Sequence, residues 1–334
     1  MAVTIKDIAK LANVSPSTVS RVISNSPKIS QETKEKVYKA MRELNYEPNI
    51  IARSLANNST RILGLILPSS EDDLFENPFF MQAMKGISVY AQKKGYYIMY
   101  AFSENEEKEL EFIKHYIRSK LVDGIILFTS RQNDKCISYL RNVGHPFVLI
   151  GRPEQPNDVL WVDNDNFRAM YNVVDFLVKK GYKDIAFIGG PENLYVTRDR
   201  FDGYRKALQT HAICEDGKMV KFAKNFSKQS GYEAMKEILA HKIPEAVVTT
   251  DDLLAFGVTY ALQERQIKGI AVVGFNNTYL AEYQIPSLTS VDINAHKLGE
   301  YAAKLLIDKL QRKDMLYTHY IVDTELVERE STKL

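Results

Sequence analysis

From Arg61 onward, short apolar runs alternate with helical patterns, and this alternation constrains the fold more than any other feature of the chain. The runs lack the polar alternation of half-exposed strands, which is typical of parallel strands covered on both faces. The pattern therefore predicts an α/β fold with a doubly wound parallel sheet. Strands are expected over residues 62–67, 97–101, 124–128, 147–150, 159–162, 185–189, 246–250 and 270–274.

Amphipathic helices are expected between these strands, for example over residues 79–94, where apolar side chains recur at helical spacing. The region after residue 60 has roughly 270 residues, which exceeds a single compact core. We therefore expect two lobes around a cleft.

The first 45 residues form a different pattern, that of three short helices. Thr4 begins a capping-box sequence and marks the start of the first helix. Ser15 is placed to cap a second helix, with Pro16 at its first position, and Ser30 is placed to cap a third that reaches Asn45. Two helices joined by a turn of about three residues, followed by a third, are typical of a helix-turn-helix.

The formal charge of the chain is unevenly distributed. The whole sequence carries +2, but residues 1–60 hold nine Lys/Arg and five Asp/Glu, which gives +4, and the other residues hold 35 basic and 37 acidic groups, which gives −2. An N-terminal excess of positive charge favours a polyanionic partner for this module alone. A well-solvated helical module of the same charge is the alternative.

The outward face of the second helix carries groups that suit DNA. Arg21 can donate two hydrogen bonds to the O6 and N7 atoms of guanine, and Ser17 can reach a base edge or a phosphate. The hydroxyls of Ser15 and Thr18 lie where the amino end of the helix would meet a phosphate. A small helical bundle whose polar face only meets water is the competing interpretation.

Residues 46–60 are expected to form a hinge, within which the polar-ended segment 50–58 is of marginal helical length and would barely fold alone. Leu55 has no local apolar partner, which makes it a candidate wedge for a DNA minor groove. The alternative is a plain linker in which Leu55 packs on the next domain.

The sequence contains no GxxxxGK phosphate loop, no GxGxxG after the first strand, no GxSxG elbow and no HExxH. Cys136 and Cys214 lie far apart without a CxxC partner, so neither a disulfide framework nor a zinc site is expected. The acidic pairs Asp72-Asp73 and Asp251-Asp252 are candidates for metal binding or acid–base chemistry, with helix caps or surface positions as the alternative. We expect a binding protein without cofactor or metal, not an enzyme.

The apolar stretch Ile62–Leu67 has six residues, far fewer than the roughly 18 to 20 that span a bilayer. Lys6, Asp7 and Lys10 interrupt the N-terminus where a signal peptide requires an unbroken apolar segment. A cytoplasmic protein without a membrane partner is therefore expected.

Sequence motifs occur along nearly the whole chain. The N-terminal ones are Thr4–Ala9, Val14-Ser15, Ser17–Val22, Leu44–Tyr46, Pro48-Asn49 and Ala52–Leu55. Those of the remainder are Asn77–Phe80, Val122–Ile126, Asp163-Asn164, Arg200–Tyr204, Val273–Phe275, Pro286–Val291 and Arg329–Ser331. Together they resemble the lactose-repressor/galactose-repressor family of bacterial transcription regulators.

The resemblance implies a DNA-binding headpiece over residues 1–45, a hinge over 46–60 and an effector-binding core over 61–334. This core would resemble the type I periplasmic sugar-binding proteins, and the protein would work as a homodimer or a tetramer. The implied lobes are an N-lobe of about 61–161 plus 292–320 and a C-lobe of about 162–291 plus 321–334.

The resemblance also assigns roles to residues. Ser17 and Arg21, with Pro16 beside them, would face bases, and Leu55 would be the hinge wedge. Residues that would contact phosphates are Thr4, Ser15, Thr18 and Asn49. Residues that would bind the effector are Phe79, Arg200, Phe226, Asp251 and Asn276.

The chemistry of the implied effector site suits a sugar. Arg200 and Asp251 offer charged hydrogen bonds to hydroxyls, and Phe79 and Phe226 offer aromatic faces to a pyranose. As alternatives, the two phenylalanines belong to the core, or Arg200 pairs with Asp199 or Asp202.

One position departs from the family, since many sugar-responsive members have an acid where Asn276 stands. An amide donates as well as accepts hydrogen bonds, so the effector or its geometry can differ here. Residues 69–73 and Gly151–Pro153 look like those of members that respond to maltose or related α-glucosides.

We therefore expect a repressor that binds a pseudo-palindromic double-stranded operator as a dimer, with recognition helices about 34–36 Å apart. A sugar in the cleft would change lobe closure, and the lobes would transmit this change to the hinge. The alternatives are a sugar-binding protein related to transport, an enzyme, and a regulator that responds to a purine or a phosphoprotein.

Overall fold

The structure, a computed structural model, describes residues 3–24, 26–46, 59–68 and 77–333. These residues divide into two compact units: the part up to Ile62 together with 120–123, and the remainder. Across the ranges given, no helix has both the length and the apolar composition needed to cross a membrane.

The N-terminal unit contains the helices α1 (Ile5–Leu11), α2 (Pro16–Ile23) and α3 (Gln31–Glu43). The side chains of Ser15 and Ser30 cap α2 and α3, as the sequence predicts, by accepting hydrogen bonds from the amides three residues on. The apolar faces of the three helices meet in one small core, which includes Ile8, Val19 and Val37. The helix-turn-helix prediction is confirmed, although α3 ends two residues before Asn45.

The strands that follow the N-terminal unit are short, and most of them are rich in apolar residues. Their bounds are β1 (Ile62–Pro68), β2 (Tyr97–Ser103), β3 (Gly124–Leu127), β4 (Phe147–Ile150), β5 (Leu160–Asn164), β6 (Ile185–Gly189), β7 (Val220–Phe222), β8 (Ala246–Thr249), β9 (Ala271–Phe275), β10 (Thr289–Asp292), β11 (His319–Val322) and β12 (Glu325–Val327).

Helices follow most of these strands and cover both faces of the sheets. Their bounds are α4 (Pro78–Lys93), α5 (Glu106–Arg118), α6 (Lys135–Val143), α7 (Asn166–Lys179), α8 (Tyr195–Thr210), α9 (Lys228–His241), α10 (Asp252–Glu264), α11 (Tyr279–Glu282) and α12 (Ala295–Leu310).

The described strands form two sheets of six. The first has the order β11-β5-β4-β3-β1-β2, and the second has the order β12-β10-β9-β8-β6-β7. The pairing of β10 with β12 is antiparallel, whereas the inner pairings of both sheets are parallel. We call the first sheet with α4–α6 and α12 the first lobe, and the second sheet with α7–α11 the second lobe. The predicted doubly wound α/β fold is confirmed.

All eight predicted strands are present, but β2 is not covered on both faces as expected. It is an edge strand, and Tyr97 and Tyr100 are exposed. The strands that the apolar pattern missed are β7, β10, β11 and β12. In β10 the polar residues Thr289 and Ser290 are fully buried, because side-chain hydrogen bonds satisfy their hydroxyls. Such partners come from distant parts of the chain, so a strand of this kind has no apolar signature.

The chain passes between the lobes three times: after β5, after β10 and after β11. The lobe boundaries expected at 161/162 and 320/321 fall inside β5 and β11, which both pair over their whole length in the first sheet.

Candidate functional site

The exposed face of α2 presents the residues expected to read bases. Ser17 and Arg21 are one turn apart and exposed, with Pro16 exposed beside them. Within the described ranges the Arg21 guanidinium has no hydrogen-bond partner, so its donors are available to an external acceptor. This arrangement can place a guanidinium against the edge of a base pair.

A cluster of hydroxyls lies at the amino end of α2. The Oγ atom of Ser15 is 2.8 Å from the Oγ of Ser17 and 2.9 Å from the Oγ1 of Thr18, and it accepts the Thr18 amide at 3.2 Å. Thr4 is exposed at the start of α1, where its amide and its hydroxyl both donate to the Asp7 carboxylate. Helix amino ends attract phosphate through unpaired amides and the helix dipole.

Asn49, the predicted phosphate contact, and Leu55, the predicted wedge, lie outside the described residues.

The five residues expected to bind the effector all line one cavity between the two lobes. This cavity encloses about 750 Å³, counted with the space that opens to solvent. Its walls combine apolar side chains with a few polar groups, which is the usual composition of a small-molecule site. The charged and amide side chains of the lining are Asn77, Asp163, Asn164, Arg200, Asp251 and Asn276, and Thr129, Ser130 and Thr250 add hydroxyl groups.

Aromatic side chains form much of the cavity wall. Phe79 lies in the first turn of α4 in the first lobe and makes an edge-on contact with Phe80, with ring centroids 5.2 Å apart. Phe226 precedes α9 in the second lobe and packs on Gly190, where any side chain would overlap its ring. Phe79 and Phe226 are only half-buried, so they keep aromatic surface for a ligand.

Arg200 lies on α8 with 4% of its surface exposed. Its Nε donates to the Oδ1 of Asn166 at 2.9 Å, and its Nη1 donates to the carbonyl oxygen of Thr250 at 2.6 Å. Burial lowers the pKa of this guanidinium to about 10, which leaves it charged at neutral pH. The alternative of a pairing with Asp199 or Asp202 is wrong, since no ion pair joins Arg200 to either residue in the described chain.

Asp251 joins three elements. Its Oδ1 caps α10 by accepting the Leu253 amide at 2.7 Å, and its Oδ2 accepts from the Nδ2 of Asn77 at 3.2 Å and from the Nδ2 of Asn276 at 2.8 Å. Burial raises the pKa of Asp251 to about 6. Asp251 therefore caps a helix, as the alternative expected, and also lines the cavity, while its contact with an effector stays a prediction.

The departure from the family at Asn276 has a local explanation. Asn276 follows β9 with φ of 99°, and its amide donates to the Asp251 carboxylate. An acid at this position would place a second carboxylate against Asp251 and repel it. The amide therefore fits this chain's own cleft.

Sequence reasoning missed Asn77, Asp163 and Asn166. Asp163 is the last residue but one of β5, and its Oδ1 accepts from the backbone amide of Asn164 at 2.8 Å and from the Nδ2 of Asn166 at 2.9 Å. Burial raises the pKa of Asp163 to about 6. The position of Asp163 and Asn166 in the sequence could have indicated a role in the site. They lie at and just after the carboxyl end of a predicted strand, where ligands of open α/β sheets bind.

A helix-turn-helix unit and a two-lobed core with a ligand-sized cleft define the class of DNA-binding transcriptional regulators. Comparison with family models agrees. The model for bacterial regulatory proteins of the lacI family matches residues 4–49, and the model for the periplasmic binding protein-like domain matches residues 174–332.

The chain is 38% identical to the HTH-type transcriptional regulator MalR of Streptococcus pneumoniae serotype 4 (strain ATCC BAA-334 / TIGR4), over 96% of this chain and 98% of the relative. A transcriptional regulator CelR–cellobiose complex has a TM-score of 0.78 and 30% identity, and covers 98% of this chain and 99% of that one. The Lac repressor dimer bound to operator and the anti-inducer ONPF has a TM-score of 0.82 and 25% identity, with 99% of both chains covered.

The chain belongs to the LacI family of bacterial transcriptional regulators, as the sequence motifs predicted. It is a regulator and not an enzyme.

Proposed function

We propose that the protein represses sugar-utilisation genes and that a neutral sugar in the cleft controls its binding to operator DNA. The observation that carries this proposal is the convergence of Phe79, Arg200, Phe226, Asp251 and Asn276 in one cavity. Two aromatic faces with convergent donors and acceptors suit the alternating apolar and hydroxyl surfaces of a pyranose.

The charges in the cleft favour an uncharged effector. Arg200 is the cation of the described lining, while Asp163 and Asp251 are two buried acids. With both acids ionised this group carries net −1, so a phosphate or carboxylate would meet repulsion in a poorly hydrated site. Maltose or a related α-glucoside is the favoured effector, because the relative at 38% identity bears the name MalR.

In this proposal the headpiece, residues 1–45, reads a pseudo-palindromic operator as part of a homodimer. Arg21 and Ser17, next to Pro16, contact base edges, and Leu55 in the hinge, residues 46–60, enters the minor groove. The core, residues 61–334, binds the effector, and the protein acts in the cytoplasm, where its operator is found. Phosphate contacts come from Thr4, Ser15, Thr18 and Asn49.

A ligand panel tests the effector class. Isothermal titration of the full chain would compare maltose, cellobiose, maltose 6-phosphate and hypoxanthine. We expect maltose to bind, and maltose 6-phosphate to bind at least about tenfold more weakly because of the cleft charge. Preferential binding of the phosphorylated sugar or of the purine would contradict the proposal.

A second experiment tests the proposed binding to a pseudo-palindromic operator. The same full-length protein is used to select duplexes from random DNA. We expect an enriched pseudo-palindrome whose affinity changes when maltose is added. Enrichment without any symmetry would contradict the dimeric mode of binding.

A further inference from the structure

The three passages of the chain between the lobes, which we call the crossovers, meet at one side chain. They span residues 164–166, 292–295 and 322–325. Asn164 ends β5, Ile293 follows β10 and Val322 ends β11, so each crossover contributes one of these residues.

The amide of Asn164 joins its own crossover to the other two. Its Nδ2 donates to the carbonyl oxygen of Ile293 at 3.0 Å and to the carbonyl oxygen of Val322 at 2.8 Å. An amide nitrogen carries two hydrogens, so these two bonds use both. Asn164 is 7% exposed, and water therefore cannot easily replace either bond.

A chain of hydrogen bonds connects this junction to the cleft. Arg200 donates from Nε to the Oδ1 of Asn166 at 2.9 Å. The Nδ2 of Asn166 in turn donates to Asp163 at 2.9 Å and contacts the carbonyl oxygen of Asn164 at 3.4 Å. Asn166 therefore holds Arg200 on one side and the backbone around Asn164 on the other.

We propose that Asn164 is the positioning residue that couples occupancy of the cleft to the geometry of the crossovers. An effector that draws the Arg200 guanidinium towards itself pulls on Asn166 and shifts the backbone of Asn164. The Asn164 amide then carries this shift to Ile293 and Val322, so all three crossovers change together. This inference rests on the proposed function only in taking Arg200 as an effector contact.

Asn164→Ala in the full chain tests the coupling, with maltose as the probe and a duplex selected from random DNA as the operator. Asn164 also lines the cavity, so maltose affinity is measured separately and the operator is titrated at saturating maltose; operator affinity without maltose should stay within about threefold of wild type. The ratio of operator affinities with and without maltose, typically 5- to 150-fold in coupled systems, should fall below about twofold. A wild-type ratio in this variant would overturn the proposal.

Asn105→Ala is the matched control. Asn105 caps α5 by accepting the Lys108 amide at 3.0 Å, so its loss removes hydrogen bonding from an asparagine away from the crossovers. We expect this variant to keep the wild-type ratio. Equal loss of the ratio in both variants would mean that general destabilisation is responsible, and would also overturn the proposal.

Hydrogen–deuterium exchange of the free protein tests the junction whatever the effector is. Backbone amides of residues 293–297 and 322–326 should exchange at least tenfold faster in Asn164→Ala than in wild type or Asn105→Ala. Unchanged exchange would overturn the proposal, whereas absence of maltose binding by wild type would overturn only the effector assignment. If Asn164→Ala does not fold, Asn164→Asp takes its place, because aspartate has the same shape without the donor hydrogens. The ratio of operator affinities and the hydrogen–deuterium exchange are then measured for this variant, with the same expected results.

Discussion

The Nδ2 atom of Asn77 lies 3.2 Å from the Oδ2 atom of Asp251, and this hydrogen bond crosses the cleft from the first lobe to the second. Asn77 is 6% exposed and Asp251 is 4% exposed. A hydrogen bond to a charged group typically contributes about 1.5–3 kcal/mol. This bond therefore helps to join the two lobes, together with backbone hydrogen bonds from the Gln132 amide to the Asn193 carbonyl oxygen at 3.2 Å and from the Tyr195 amide to the Ser130 carbonyl oxygen at 3.1 Å.

Asn77→Ser should loosen the contact between the lobes of the free protein. Serine keeps the capping of α4, where Asn77 accepts the Phe79 amide at 3.1 Å, but is too short to reach Asp251. Small-angle X-ray scattering should give a larger radius of gyration for the variant than for wild type. An unchanged radius would mean that the cross-cleft bond does not hold the lobes together.

Arg21→Ala should strongly reduce discrimination between the selected operator and random DNA while sugar affinity stays intact. A bidentate contact to a base is worth about 1–3 kcal/mol of discrimination, which is roughly 5- to 150-fold. Fluorescence anisotropy with both duplexes measures this ratio. Lys36→Ala, which removes an exposed charge from α3, should weaken binding to both duplexes equally. Equal loss of discrimination in the two variants would contradict the role of Arg21.

Arg200→Ala should remove the response to the effector while operator binding survives. The variant loses the charged donors of the cleft and leaves Asp163 and Asp251 without their nearby cation. Operator affinity measured with and without maltose reports the response. Arg205→Ala is the control, since Arg205 lies on the same helix but is exposed and pairs with Glu215 at 3.1 Å. A wild-type response to maltose in Arg200→Ala would contradict the proposed role of Arg200 in binding the effector.

The sequence predicted the apolar inner strands and the three N-terminal helices well, because their patterns are local. It could not reveal the hydrogen bonds that fix Arg200, since Asn166 and Thr250 reach it only through tertiary packing. The cleft residues were found through family motifs and not through periodicity. Asn77 was not predicted as a site residue, because its partner Asp251 lies 174 positions further along the chain.

Asp252 provides a pH-dependent test of the second lobe. It is fully buried, accepts the Ser290 hydroxyl at 2.6 Å and the Thr278 amide at 2.7 Å, and burial raises its pKa to about 7. The folded state therefore binds this proton more tightly than the unfolded chain, whose ordinary value is about 3.9. Its protonated form stabilises the fold below about pH 4, and this contribution is lost as the pH rises towards 7.

Asp252→Asn removes this titration and keeps the shape of the side chain. Wild type should become progressively less stable relative to the variant between about pH 4 and 7, with a slope of up to about 1.4 kcal/mol per pH unit, and the difference should level off above about pH 8. Urea unfolding of both proteins at several pH values measures the difference in the free energy of unfolding. A difference that stays constant from pH 4 to 8 would show that the buried carboxyl does not titrate in this range.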